Sequence, residues 1–124
     1  MRRLACLAGV LVLAGCTTQV NINGQRPVAP SIKAQILKGA KDVLYDPHSV
    51  RDAEISGFIP RTPGSEDGFV CVKANAKNLY GAYTGRQGTL VFVNGGKVTN
   101  ATASHPMCSN RNIRYHPFPE LEAL

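Results

Sequence analysis

Cysteine is the residue type in this chain with the most chemistry, and it occurs at positions 6, 16, 71 and 108. A cysteine thiolate can bind a metal ion, form a disulfide or attack an electrophile, and its surroundings decide which. Cys6 and Cys16 lie in or beside an apolar stretch near residue 1, whereas Cys71 and Cys108 lie far along the chain. We therefore expect different chemistry from the two pairs.

The first fifteen residues have the pattern of a signal peptide. Arg2 and Arg3 precede an apolar run over residues 4–13, which is shorter than the roughly 20 residues that a membrane-spanning helix needs. The four residues that close this run, Leu13-Ala14-Gly15-Cys16, resemble the lipobox of bacterial lipoproteins. The alternative is an ordinary secretory signal followed by a coincidental cysteine.

The lipobox resemblance implies that residues 1–15 are removed and that the Cys16 sulfur carries a diacylglyceryl group, with its new amino group usually acylated as well. Two or more acyl chains give stable membrane attachment. Thr17 stands where an aspartate would be the usual inner-membrane retention signal. The resemblance therefore favours an outer membrane lipoprotein, facing the periplasm rather than the cell exterior.

Removal of the leader and acylation of Cys16 leave Cys71 and Cys108 as an even pair in an oxidising compartment. We expect a disulfide between them. The competing interpretation is a metal site completed by histidines, but His48, His105 and His116 show no short ligand spacing among themselves. We expect no metal ion and no cofactor.

Motifs of known enzyme classes are missing from the sequence. There is no nucleophile elbow, phosphate-binding loop or zinc signature. The adjacent acids Glu66 and Asp67 lie in a polar loop, which does not separate two pKa values as acid–base catalysis requires. His48 beside Ser49 fits a turn-capping pair, and we expect a protein that is not an enzyme.

The run from residue 75 to 85, Asn-Ala-Lys-Asn-Leu-Tyr-Gly-Ala-Tyr-Thr-Gly, is the most unusual segment of the mature chain. One interpretation is a binding loop that presents side chains to a protein or glycan: Lys77, Asn78, Tyr80, Tyr83 and Arg86. The other is structural, with both tyrosine rings covering the sheet edge while Asn75 and Asn78 bond loop backbone groups. The two are compatible if only one tyrosine is exposed.

Together with Cys71 and the Asp46-Pro47-His48-Ser49 turn, this run resembles a group of small, uncharacterised bacterial envelope lipoproteins. The resemblance covers roughly residues 31–93. Val72 and Ala82 stand where the group usually has glycine. The resemblance implies a fold and a compartment, and it carries no catalytic residue.

One helix is expected over residues 31–45, with Ser31 at its N-cap and its end near Tyr45, since Pro47 disfavours helical backbone at the residue before it. Its apolar positions recur at helical spacing, which is typical of a core face; they are Ile32, Ile36, Leu37, Ala40, Val43 and Leu44.

Strand patterns follow the helix, over residues 50–59, 69–76, 89–93 and 97–104, with Asn94-Gly95-Gly96 favouring a tight hairpin turn. Prolines limit the segment after residue 106 to a short helix. We expect an α+β fold in which an N-terminal helix packs on a small antiparallel sheet of about four strands, with one disulfide. The predicted organisation is a signal peptide (1–15), a lipidated flexible tether (16–30) and a single domain (31–124).

The chain has a formal charge of +6, and loss of Arg2 and Arg3 lowers it to +4. The remaining cations are dispersed, with no run of five, so no nucleic-acid surface is indicated. The expected partners are the membrane, through the anchor, and an envelope protein or glycan. The leading hypothesis is a non-catalytic binding or assembly-support protein. A periplasmic inhibitor or a phage-exclusion factor is the alternative, and a small cell-wall enzyme is the least favoured class.

Overall fold

The fold is built on an antiparallel sheet, which the computed structural model describes together with the rest of residues 22–124. The helices are α1 (Pro30–Val43) and α2 (Pro119–Glu122). The strands are β1 (Arg51–Ser56), β2 (Ile59–Pro60), β3 (Gly68–Asn75), β4 (Gln87–Asn94), β5 (Lys97–Thr102) and β6 (Tyr115–Pro117). Their order across the sheet is β5-β4-β3-β1-β6, and β2 pairs with the start of β3.

The predicted α+β class, antiparallel sheet and disulfide are confirmed, but the sheet has six strands rather than about four. The predicted first strand divides after Ser56, because β1 ends there and Ile59–Pro60 pairs separately with β3. The other unexpected strand is β6, whose three residues give no alternating pattern. Pro117 is accommodated there because β6 is an edge strand, where no inward backbone N–H is needed.

The hairpin between β4 and β5 forms where the Asn-Gly-Gly sequence predicts it. Asn94 pairs with Lys97, so the loop consists of Gly95 and Gly96. Their φ angles are +57° and +75°, a left-handed conformation that glycine adopts without the cost a side chain imposes.

Both faces of the sheet are covered. On the helical face, α1 and α2 pack over a core that includes Ile55, Val70, Val72, Val91 and Val93. On the opposite face, here called the disulfide face, the Pro106–Ser109 turn and the following residues cover Ile59, Phe69, Cys71 and Leu90. Five consecutive residues of β3, from Gly68 to Val72, are therefore buried.

Helix α1 begins one residue earlier than predicted, and Ser31 is not its N-cap. Ala29 occupies that position without a side-chain cap, and Pro30 is the first helical residue. Proline is favoured there, since its fixed φ suits the helix and the N–H that it lacks would have no helical partner. The helix ends at Val43, in agreement with the prediction from Pro47.

The amide of Gln35 attaches α1 to the edge of the sheet. Its Nε2 donates to the Gly96 carbonyl oxygen at 3.2 Å, and its Oε1 accepts from the Val98 N–H at 2.8 Å. This pair of bonds imitates the pairing of one further strand beside the start of β5. Together with the buried Ile32 and Ile36, it fixes the N-terminal half of the helix on the sheet.

Residues 22–29 pack against the domain, so the flexible tether predicted over residues 16–30 does not extend that far. Arg26 and Phe58 exchange two backbone hydrogen bonds, at 3.0 and 2.6 Å. The Gln25 side chain bonds to the backbone of Asn112 and Arg114, and Val28 is buried in the helical-face core. A single 3-10 turn, Ile22–Gly24, also precedes α1, which is thus not the first element.

The predicted signal peptide, Cys16 and the first part of the tether lie outside the described residues. Among residues 22–124, no helix is long and apolar enough to cross a membrane.

Cys71 of β3 and Cys108 of the Pro106–Ser109 turn form the predicted disulfide. Both are at most 1% exposed, and the bond closes a loop over a sequence separation of 37 residues. Gly88 allows the turn to approach the sheet, because a Cβ at that position would lie 2.8 Å from the Cys108 Cβ. The disulfide therefore holds an irregular segment against the face of the sheet that no helix covers.

Replacing both cysteines, as in Cys71→Ala/Cys108→Ala, should lower the free energy of unfolding by roughly 3–4 kcal/mol. Without the crosslink, the unfolded chain has more conformational entropy to lose on folding. Urea denaturation of the oxidised wild type and the double variant measures the difference. Reduced wild type is the matched control, and its midpoint should move in the same direction. A loss below about 1 kcal/mol would show that the turn is held mainly by packing.

Candidate functional site

The segment predicted as a binding loop is ordered by Asn78. Its Oδ1 accepts hydrogen bonds from the N–H groups of Tyr80 and Ala82, at 2.9 and 3.1 Å. Its backbone bonds to Gly81 and Ala82, and Gly81 has a φ of +73°. Asn75, which is buried, similarly accepts from the Gly85 N–H. The structural role predicted for both asparagines is confirmed.

The two tyrosines of the loop have different environments. Tyr83 is partly buried, with its hydroxyl donating to the Ser49 carbonyl oxygen at 2.6 Å and the Arg51 guanidinium 3.6 Å above its ring centre. Tyr80 is 87% exposed. Tyr83 thus holds the loop to the turn before β1, and Tyr80 is free to contact another molecule.

Lys77 is an exposed residue on a fixed backbone. Its N–H donates to the Ser49 hydroxyl at 2.8 Å, and it forms a bridge with Tyr83. Its ammonium lies 5.7 Å from the Tyr83 ring centre, and no carboxylate of residues 22–124 is within ion-pair distance. The loop therefore presents one unpaired cation.

Arg86 does not join this cation. Its guanidinium forms an ion pair with Glu54 at 3.0 Å and also donates to the Asp52 carbonyl oxygen. Tyr115 lies near these charges, with the Lys73 ammonium 4.1 Å from its ring centre. The structure thus separates Arg86 from the other four predicted loop residues.

Burial raises the pKa of the Tyr115 hydroxyl to about 12, with the Glu54 carboxylate adding to the rise and Arg86 opposing it. The hydroxyl donates to the Cys108 carbonyl oxygen, so it also fixes the disulfide-bearing turn.

An apolar groove lies between the C-terminal half of α1 and the helical face of the sheet, and it was not predicted. Its volume is about 470 Å³. We call it the helix–sheet groove. Its lining is contributed by α1 and the residues after it, β3, β4, β5, α2 and the loop, and includes Gly39, Ala40, Val43, Leu44, Ala74, Ala76, Lys77, Leu79, Val91, Val98 and Ala101.

The groove exists because small residues face each other where the helix leaves the sheet. Gly39 and Ala40 lie opposite Ala74, Ala76 and Ala101, none of which can fill the space. A Cβ placed on Gly39 would have no atom within 4 Å. The predicted core stripe is correct for Ile32 and Ile36, which are buried, and for Leu37, Ala40 and Leu44, which are partly buried against the core; it is wrong for Val43, which is 80% exposed.

Exposed apolar side chains surround the groove. The four large hydrophobic residues that residues 22–124 expose are Val43, Tyr45, Leu79 and Tyr80. The first three line the groove, and Tyr80 follows Leu79 in the loop. Apolar patches of this kind on a small protein mark surfaces that contact another molecule.

The groove is the part of the candidate site that the sequence pattern concealed. Val43 and Leu44 have the spacing of core residues, and Leu79 lies between Asn78 and Tyr80, whose side chains both carry polar groups. One signal was available, since Gly39 interrupts an otherwise regular helix at a cost of about 0.5–1 kcal/mol relative to alanine.

Cys71, Cys108 and His105, which were considered as metal ligands, make other bonds in the structure. His105 precedes Cys108 by three positions, a spacing that a metal site can use, but the sulfur is bonded to Cys71 and the His105 Nδ1 accepts from the Met107 N–H at 3.1 Å. Among the residues that the structure describes, no three of His, Cys, Asp and Glu are grouped as metal ligands.

Comparison with known proteins adds no relative: no protein-family model, curated protein or solved structure matches the chain. The fold and the groove therefore have to be interpreted from the residues themselves.

The raised pKa of Tyr115 predicts a loss of stability at high pH. The folded protein holds the phenolic proton more tightly than the unfolded chain, so the contribution is complete below about pH 10 and is lost as pH rises through about 12. Denaturant unfolding at a series of pH values should show a steeper decline for wild type than for Tyr115→Phe. Tyr45→Phe, at an exposed position, is the control and should follow wild type; parallel curves for all three proteins would contradict the prediction.

Proposed function

We propose that this chain is a lipid-anchored protein of the bacterial envelope that acts by binding another envelope component, without catalysis. The observation that carries the binding role is the helix–sheet groove with its exposed apolar rim. The lipobox resemblance around Cys16 and the resemblance of the Asn-Ala-Lys-Asn segment to small envelope lipoproteins supply the compartment.

The binding surface consists of the groove and the adjoining loop. The loop brings Leu79 and Tyr80 to the surface on a backbone that Asn78 fixes, so little conformational entropy is lost when they are covered. Tyrosine is well suited to such contacts, because a large ring and a hydroxyl are presented with only two rotatable bonds. The surface is thus preorganised for a partner.

Catalysis is not part of the proposal, because the groove lining has no group suited to it. Among the described residues that line it there is no histidine, cysteine, aspartate or glutamate, and the two ionisable side chains are those of Lys77 and Tyr45. General acid–base or nucleophilic chemistry needs a positioned pair of such groups.

The anchor is tested first. Cells grown with radiolabelled palmitate should incorporate the label into the wild-type protein and not into Cys16→Ser, because the lipid is attached through the Cys16 sulfur. Cys6→Ser is the matched control and should remain labelled, since residue 6 belongs to the predicted leader. Label that persists in Cys16→Ser would refute the anchor.

The partner is tested by crosslinking in the cell. A photoreactive phenylalanine analogue in place of Tyr80 should give one or a few discrete adducts on irradiation, since this ring is exposed beside the groove. The same analogue at Arg111, an exposed position next to the turn on the disulfide face, is the control. It should give no adduct that also forms at Tyr80.

Adducts that are absent at Tyr80, or the same at both positions, would contradict a binding role for this surface. The identity of the adduct separates the two function classes that the sequence suggests. A resident envelope protein or glycan supports a binding or assembly role, whereas a foreign hydrolase or phage protein supports inhibition or exclusion.

A further inference from the structure

We propose that the helix–sheet groove binds a long-chain fatty acid, with the acyl chain along α1 and the carboxylate beside Lys77. This inference rests on the proposed function, in which the groove is the binding surface, and it assigns the chemical class of the occupant.

The acyl chain is favoured by the form and lining of the groove. It follows α1 from Gln35 to Leu44, a rise of about 14 Å at 1.5 Å per residue. A volume of about 470 Å³ lies within the range of sites for small ligands. The lining is mostly alkyl groups and small residues, with polar side chains such as Gln87 and Thr89 among them, so it offers an alkyl chain a largely apolar surface.

The carboxylate is favoured by the charge at one end of the groove. Of the described residues that line the groove, Lys77 is the only one with a formal charge at neutral pH, and no carboxylate of residues 22–124 forms an ion pair with it. Asn78 and Thr84 lie at the same end and add polar groups. An apolar site with one cation complements a ligand with one alkyl chain and one anionic group, since fatty acids are ionised at neutral pH.

The backbone that carries the cation is held in place before any ligand arrives. Ser49 accepts from the Lys77 N–H, while the face of the Tyr83 ring lies 5.7 Å from the Lys77 ammonium. At the other end, the Gln35 bonds to β5 hold the helix on the sheet. Both ends of the groove are thus fixed.

A bound fatty acid would also cover part of the apolar rim of the groove. Val43, Tyr45 and Leu79 border the groove and are more than half exposed in this structure. An alkyl chain lying between them would remove part of this surface from water, which is favourable. We expect one fatty acid per protein, because the groove accommodates one alkyl chain and Lys77 pairs with one carboxylate.

The test uses the predicted mature chain, residues 16–124 with Cys16→Ser, so that neither the apolar leader nor an acyl group of the protein itself competes. Fluorescence of cis-parinaric acid, a naturally fluorescent fatty acid, should rise on binding and fall when palmitate is added. Methyl palmitate, which has the same chain and no charge, should compete about tenfold less well, because the interaction with Lys77 is lost. This comparison requires no variant of the groove.

Two variant pairs locate the ligand. Gly39→Trp should reduce binding at least tenfold by filling the groove, since a Cβ there meets nothing within 4 Å, whereas Ala34→Trp, at an exposed position of α1 outside the lining, should bind as wild type does. Lys77→Gln should abolish the preference for palmitate over its methyl ester, whereas Lys97→Gln, at an exposed position outside the lining, should retain it. Far-UV circular dichroism verifies that each variant is folded.

The inference is overturned if folded wild type does not bind cis-parinaric acid, if folded Gly39→Trp binds it as well as wild type, or if acid and ester compete equally. The proposed function is judged separately. Tyr80 adducts that disappear in Gly39→Trp, without fatty-acid binding, would mean that the groove holds a polypeptide or glycan, so that only the fatty-acid assignment fails. Fatty-acid binding with the expected pattern, without any adduct, would remove the envelope partner and leave the ligand site.

Discussion

Strand β3 is apolar on both faces, and the described part of the chain has only one long helix with which to cover them. Val70 and Val72 point toward the helices, while Phe69 and Cys71 point to the other side. Antiparallel sheets commonly leave one face in water, but these residues do not permit that. Much of the architecture follows from the need to cover two faces with little secondary structure.

The disulfide face is covered by a segment that forms neither an α-helix nor a long strand. Such a segment has to be held on the sheet by contacts with the rest of the protein. The Cys71–Cys108 bond, the Tyr115 hydroxyl bonded to the Cys108 carbonyl and the absence of a side chain at Gly88 together keep the Pro106–Ser109 turn on the sheet. For a domain of this size, whose total stability is typically 5–15 kcal/mol, one such crosslink is a substantial contribution. The stability of the fold therefore depends in part on conditions that keep this disulfide oxidised.

The helical face is covered incompletely, and this produces the candidate site. Ile32, Ile36 and the Gln35 amide fix the first half of α1, whereas Gly39 and Ala40 leave space beneath the second half. Filling that space with larger side chains would have stabilised the protein by burying apolar area. The loop ordered by Asn78 borders the same space and brings Lys77 to it, so the proposed ligand site lies between a helix, a sheet and a loop.

The sequence by itself determined the secondary structure that local chemistry controls. Pro47 ended the helix, Gly95 and Gly96 formed the hairpin turn, alternation assigned Val70, Val72 and Ala74 to one face, and the two late cysteines paired. The asparagines of the loop were also predictable, since their side chains bond to backbone groups only a few residues away, or ten in the case of Asn75. These interactions are short-range in the sequence, except for the disulfide, which follows from the number of cysteines outside the predicted leader and lipidation site.

Only the tertiary structure decided which apolar residues are covered and which charges meet. Val43 and Ile36 have equivalent positions in the helical pattern, but their exposure depends on where the sheet ends beneath the helix. Arg86 was grouped with Lys77 by sequence proximity and instead pairs with Glu54, which lies 32 positions earlier. β6 and residues 22–29 gained their places through pairing with distant backbone. Burial and ion pairing at long sequence separation are properties of the assembled sheet, and no local pattern of residues contains them.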